Sequence, residues 1–369
     1  MVTLSNIRKI FILGDLHLGI KNNSVEWAEI QRSYLVDEFL RQVDENGFDP
    51  EQDILVQVGD WNHVREHTNI RTWQVSLGIA KKLTDKFKKG VYVILGNHDV
   101  YYKDRTDIHS LKGMDLMFPN FKIFEKPEIV KVNGLHKFLM LPWEDNTDLI
   151  KSTLSKNPAD FLFCHADVQG FSLNAAQKIT HGVELGDLGK FKRVYSGHIH
   201  IRQEKGNTLY VGTPYQMDRG DRGNQKGFYV IDVSQKKVAE DFIPNTFSPV
   251  YKKLDVFSIL NLTLPELMEE FRNNFVDIAI DDSILKSFPL SIFTDLVKDL
   301  GHRRLEFFNY SSVGLVNSEV EENSNYEYNI FDFLKEKLHE KQLSDHQMAT
   351  ISKEFKSIYD KIKNTKSYD

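Results

Sequence analysis

The segment KIFILGDLHLG, residues 9–19, decides the fold. A run rich in β-branched and aromatic side chains stops at Gly14, and a carboxylate at Asp15 and an imidazole at His17 follow directly. The same design recurs along the chain. DILVQVG precedes Asp60, VYVILG precedes Asn97, FLFC precedes His165, and the shorter RVYSG precedes His198 and His200. Strands that deliver polar residues to one common rim are how α/β sheets build their sites. The seven residues Asp15, His17, Asp60, Asn97, His165, His198 and His200 are therefore the candidate ligands of a single dinuclear metal centre.

Composition narrows the class. With 369 residues the chain is long for one domain and fits a catalytic domain plus smaller modules. The hydrophobic share of 41% supports a real core, so disorder is not the default. Cys164 is the only cysteine, which excludes an intrachain disulfide or a cysteine-based zinc finger and suits a reducing cytoplasm. The N-terminal apolar run is too short for a signal peptide, and no run approaches a membrane span. A net charge of -6 argues against coating DNA by charge alone, but not against a DNA enzyme whose bound cations supply positive charge locally. Lys81, Lys82, Lys86, Lys88, Lys89 and the segment GKFKR at 189–193 read as ordinary solvated surface.

Strand-like and helical stretches alternate to about residue 245. Ser24 to Val43 predicts an amphipathic helix, Thr72 to Phe87 a second one, and Val91 to Leu95 the strand that follows. Lys137 to Leu141, Phe161 to Cys164, Arg193 to Tyr195, Thr208 to Val211 and Gly227 to Val233 read as further strands. The expected domains are a catalytic one at 1–245, a small α+β module at 246–316, a linker at 317–329 and a helical tail at 330–369. The linker is the acidic run NSEVEENSNYEYN. In the tail, Met348, Ile351, Phe355, Ile358 and Ile362 step by 3, 4, 3 and 4. Such a stripe either docks on its own protein or receives a partner's helices, and the linker before it favours the partner.

Carboxylate, amide and imidazole ligands without a thiolate suit Mn²⁺ first, with Mg²⁺, Fe²⁺ or Zn²⁺ as alternatives. Two ions roughly 3.5 to 4 Å apart can share one carboxylate and clamp a phosphate. Asp60, between the other ligands, is the natural shared acid; Asp15, His17 and His200 complete one ion, and Asn97, His165 and His198 the other. His98, next to Asn97, is left to face the substrate, as a proton donor to the leaving oxygen or a stabiliser of phosphoryl charge. Asp99 and Asp167 are candidate partners of these ligands, and Cys164 reads as a buried small side chain. His67, His109, His136, His181, His302, His339 and His346 lack such context.

The clusters GDLHLG, GDWNH, GNHD, CHAD and GHIH resemble the signature of calcineurin-like metallophosphoesterases over roughly residues 8–235. That resemblance implies a sandwich of two β-sheets flanked by helices, carrying here a small capping domain and a C-terminal helical pair. His63, three residues after Asp60, and GTPYQ after GHIH are similar to the SbcD-type DNA nucleases, bacterial and phage counterparts of the meiotic-recombination nuclease. The short layout looks most like the small subunits of T-even-type phage recombination endonucleases. This resemblance implies Mn²⁺-dependent 3′–5′ exonuclease activity on duplex DNA and endonuclease activity on single strands or hairpins. It gives His63 and His98 substrate-side and transition-state roles. It also implies an SbcC-like coiled-coil ATPase gripped by the tail helices, and a homodimer through 65–87 and 100–118 that makes a heterotetramer. The place of action would be the cytoplasm, the host's if the chain is phage-encoded.

Two other readings compete. A phosphodiesterase or phosphatase acting on small molecules or phosphoproteins needs neither tail nor capping module, and His63 stands where phosphoprotein phosphatases carry aspartate. A scaffold that has lost catalysis would be missing a ligand or His98, and none is missing.

Overall fold

The computed structural model describes residues 2–173, 177–281, 284 and 289–309. The expected linker at 317–329 and the helical tail at 330–369 lie outside these residues. The chain divides into two compact units, one ending at Val250 and one starting at Tyr251.

The first unit is a sandwich of two sheets. Among the described residues one sheet has six strands, in spatial order Ala239–Pro244, Gly227–Asp232, Lys9–Leu13, Ile54–Gln57, Val91–Ile94 and Phe121–Phe124. The last four run parallel. The other has seven: Val2–Leu4, Glu128–Val132, His136–Leu141, Phe161–His165, Arg193–Gly197, Thr208–Tyr210 and Gln203–Lys205. Its four consecutive strands from His136–Leu141 to Thr208–Tyr210 are likewise parallel.

The continuous apolar runs follow from strands covered on both faces. Successive side chains point to opposite sides. Ile10, Ile12, Ile54 and Val56 from one sheet therefore meet Phe138, Met140, Phe163, Tyr195 and Leu209 from the other in a shared core. Phe11, on the outer face, packs instead against Phe87 with ring centres 5.6 Å apart, and Phe228 of the same sheet meets Phe39 at 4.8 Å. Leu139, Leu141, Leu162 and Cys164 lie under Ile150 and Leu154 of the helix Thr147–Lys156.

The helix expected over 24–43 begins as read, with the Ser24 hydroxyl accepting from Trp27 N at 3.4 Å. It is not one regular helix, however. Val25–Arg32 passes into a π-helical stretch Ser33–Glu38 and then Phe39–Glu45. The Phe39 N–H reaches back five residues to the Tyr34 carbonyl. Tyr34, Leu35 and Phe39 are all buried across this wider turn. The helix expected over 72–87 spans Ile70–Lys86, with Asn69 as its N-cap accepting from Arg71 N at 3.0 Å.

The second unit holds a parallel sheet of Tyr251–Asp255, Phe275–Ile280 and Arg304–Asn309. Phe271, Val276, Ile278, Phe293 and Val297 form its core. A capping box between Thr263 and Glu266 starts the helix Leu264–Phe271. Among the described residues, no helix is long and apolar enough to cross a membrane.

Candidate metal centre

Parallel strands bring their C-terminal ends to one rim, and there the seven predicted ligand residues converge. Asp15, His17, Asp60 and Asn97 come from the six-stranded sheet, and His165, His198 and His200 from the seven-stranded one. The backbones approach so closely that glycine is required before two of them. A Cβ on Gly96 would lie 2.2 Å from Asp60 Oδ1, and one on Gly197 only 2.1 Å from the Val58 carbonyl and 2.6 Å from Asp15 Oδ1. His17, Asp60 and His198 have φ of +49°, +54° and +87°. Non-glycine residues rarely take this region, and such strain gathers at functional positions.

Asp60 Oδ2 sits 3.5 Å from His17 Nε2 and 3.5 Å from His165 Nε2, so one carboxylate oxygen faces both halves of the cluster. Its other oxygen accepts from the His98 backbone N–H at 2.7 Å. In one half His17 Nε2 faces His200 Nε2 at 3.0 Å, with Asp15 close enough for all three to share an ion. In the other, Asn97 Oδ1 lies 2.9 Å from His165 Nε2 and 2.8 Å from His198 Nδ1. A third grouping, His17 with His63 and His98, also converges but contains no carboxylate, and Mn²⁺ or Mg²⁺ prefers the groups that do.

The donor set fits divalent cations. Asp15 Oδ1 is buried without a hydrogen-bond partner. Burial pushes the Asp15 carboxyl up to about 8, with Asp60 adding to the rise. Burial also holds His17 well below its ordinary value and takes His200 down to about 4, so both present neutral lone pairs. Against burial, Asp60 and Asp15 push His165 the other way, up to about 9, so a cation taking that nitrogen would displace a proton from a buried cluster otherwise rich in acceptors.

Outer contacts fix the ligands. His165 Nδ1 bonds to the Val58 carbonyl at 2.8 Å, which orients Nε2 inward. Asp167, unplaced by sequence, lies 3.1 Å from His198 Nε2. It also reaches His181 at 3.3 Å, so His181, set aside in the sequence reading, stands one contact from the site. Asp99 accepts from the backbone N–H groups of Trp61, Asn62 and Gly96, tying the Asp60 and Asn97 loops together. Gln31 donates to the carbonyls of Leu16 and His17, and the Tyr215 hydroxyl of GTPYQ donates to Leu16, which pins the GDLHLG loop.

His98 and His63 stand beside the cluster rather than inside either carboxylate-bearing group. Their rings stack at 5.2 Å and 11°. His98 Nδ1 bonds to the His63 carbonyl at 2.7 Å, and His63 N–H to the Leu18 carbonyl at 3.0 Å.

Two features escaped the sequence reading. Trp143 packs its indole on His198 with centres 5.0 Å apart and lines a cavity of about 300 Å³. Lys226, buried, bonds to Asp221 at 2.5 Å and to the His200 carbonyl at 2.6 Å. The only signal was a lysine set directly before the apolar run GFYVID.

The chain is 29% identical over 277 residues to exonuclease subunit 1 of Enterobacteria phage T4, covering 72% of this chain and 78% of that protein. Among solved structures it aligns with a phosphoesterase from E. coli at 14% identity and a TM-score of 0.30, over 64% of this chain and 99% of the other. Residues 8–202, more than half of the sequence, match the calcineurin-like phosphoesterase family. The chain belongs to that family of metal-dependent phosphoesterases.

Proposed function

We propose that this chain is the nuclease subunit of a complex that processes DNA ends in recombination, repair and replication. Its activity is Mn²⁺-dependent, a 3′–5′ exonuclease on duplex DNA and an endonuclease on single strands or hairpins. The observation that carries this reading is the similarity, over most of both chains, to a phage protein named as an exonuclease subunit. The word subunit supports a partner, proposed as an SbcC-like coiled-coil ATPase bound by the tail at 330–369, with a homodimer making a heterotetramer.

Asp15, His17 and His200 would hold one divalent ion and Asn97, His165 and His198 the other, with Asp60 serving both. When bound, the ions supply positive charge and polarise a phosphoryl oxygen of the substrate. The protein's own groups do the rest. The His63 carbonyl accepts from His98 Nδ1–H and so leaves Nε2 as the atom that exchanges a proton. As imidazolium, His98 donates from Nε2 to the leaving oxygen, and the neutral ring left behind takes a proton back from solvent. The stacked His63 ring limits how far His98 can turn, which keeps that nitrogen aimed at the substrate.

The test is degradation of end-labelled linear duplex DNA with Mn²⁺, Mg²⁺ or chelator, with and without an SbcC-like ATPase. Cleavage that needs Mn²⁺ and vanishes with chelator is expected. Intact DNA from folded, metal-loaded protein, together with hydrolysis of a small aryl phosphodiester, would keep the centre and overturn the substrate. Deleting 330–369 is expected to abolish ATPase binding in a pull-down while Mn²⁺ uptake persists; retained binding would move the partner surface elsewhere.

A further inference from the structure

The turn that leaves the GDLHLG loop has a left-handed backbone that one of its residues does not favour. Gly19 has φ of +90°, and Lys21, Asn22 and Asn23 follow at +54°, +57° and +58°. The Asn23 N–H closes onto the Gly19 carbonyl at 3.0 Å, so these residues form a short left-handed helical turn. For an L-residue with a Cβ this costs roughly 1–2 kcal/mol each. Asparagine and glycine take the conformation readily, whereas a lysine gains nothing from it. Lysine at the first of the three positions is therefore not explained by the turn.

The surroundings hold the turn in place. Thr72 Oγ1 donates to Asn23 Oδ1 at 2.7 Å, and Ser24 caps the next helix. Three residues before Lys21, Leu18 accepts from the His63 N–H and gives its own N–H to the Trp61 carbonyl at 2.9 Å. Lys21 is thus fixed on the side of the centre where His63 and His98 stack, not on the side of Trp143 and His198. It is exposed, and none of the ion pairs among the described residues involves it. An exposed cation on a turn tied through Leu18 to this side of the centre fits an anion that arrives with the substrate.

We propose that Lys21, presented on this left-handed turn, binds a phosphate of the DNA strand adjacent to the one that is cut. The inference rests on the nuclease reading and adds a contact that positions the strand. A lysine bound to phosphate acts as a point charge, so it adds affinity without base preference.

The experiment uses the full chain loaded with Ca²⁺ and a labelled short duplex, and follows the dissociation constant from 50 to 300 mM salt. Lys21→Asn keeps the backbone preference and removes the charge; Lys21→Arg keeps the charge. Each phosphate contact contributes about 0.9 to the slope of log K against log salt. Lys21→Asn is expected to lower that slope by about 0.9 and to weaken binding roughly fivefold to tenfold near 0.1 M salt, equally across sequences, with Lys21→Arg close to the unaltered chain. Mn²⁺ stoichiometry by electron paramagnetic resonance is expected to stay the same in all three. An unchanged slope in Lys21→Asn would overturn the contact while leaving the nuclease reading in place. A loss of Mn²⁺ in that variant would also overturn it, by making the turn a prop for the metal loop. If the unaltered chain itself showed no salt-dependent DNA binding, the nuclease reading would fall first and the contact with it.

Discussion

Asp60→Ala is expected to strip both ions from the protein and to reduce phosphodiester hydrolysis by on the order of 10³-fold or more, the rate equivalent of losing several kcal/mol of charge stabilisation. The reason lies in one oxygen. Asp60 Oδ2 is equidistant, at 3.5 Å, from a histidine of each half, so removing it disables both halves at once. Burial works against ionising Asp60, yet His165 holds it well below the usual carboxylate range, so the charge is present at neutral pH. His98→Ala is the matched control, because its side chain reaches the His63 carbonyl and not the shared oxygen. That variant is expected to bind two Mn²⁺ normally and to lose about 10²- to 10⁴-fold in rate. Calorimetric Mn²⁺ titration beside hydrolysis of an aryl phosphodiester separates the two. Equal metal loss in both variants would sink the division of labour between ligands and proton donor.

Lys226→Met is expected to destabilise the fold by about 3–5 kcal/mol, lowering the thermal midpoint by on the order of 10 °C. The side chains of Lys226 and Asp221 are each only 3% exposed, so removing the cation leaves a buried carboxylate with no countercharge. Among the described residues Asp221 would retain only the Met217 N–H, and the His200 carbonyl would lose its ammonium donor. A second variant, Lys226→Met with Asp221→Leu, removes both charges and is expected to recover most of the loss, since apolar replacement of a whole buried pair is often neutral. Thermal melts of the two metal-free variants decide the matter. A single variant that melts within about 2 °C of the parent would show that the pair is solvated and contributes little.

How much of this was legible in the sequence follows from what is local. A polar residue directly after an apolar run states its own position at a strand end, which is why all seven candidate ligands could be named and are found on one rim. The short strand Val2–Leu4 was not legible, because only pairing with Val130–Val132 defines it. The π-helical stretch at Ser33–Glu38 was hidden because the apolar spacing there satisfies either period. Gln31, Trp143 and the Lys226–Asp221 pair act on the site across distant parts of the chain, and no local pattern marks them. His181 illustrates the same limit. Nothing near it in sequence suggests a role, and only Asp167 connects it to His198.

Each half of the centre draws residues from both sheets: Asp15 and His17 meet His200 across the sandwich, as Asp60 and Asn97 meet His165 and His198. Neither sheet alone carries a complete set, and the last contributors lie near residue 200. On the proposed ligand assignment, a nascent chain would therefore be chemically silent until those residues had left the ribosome and the sheets had closed. On the same assignment, a copy stopped short of closing the two sheets would carry no complete metal centre.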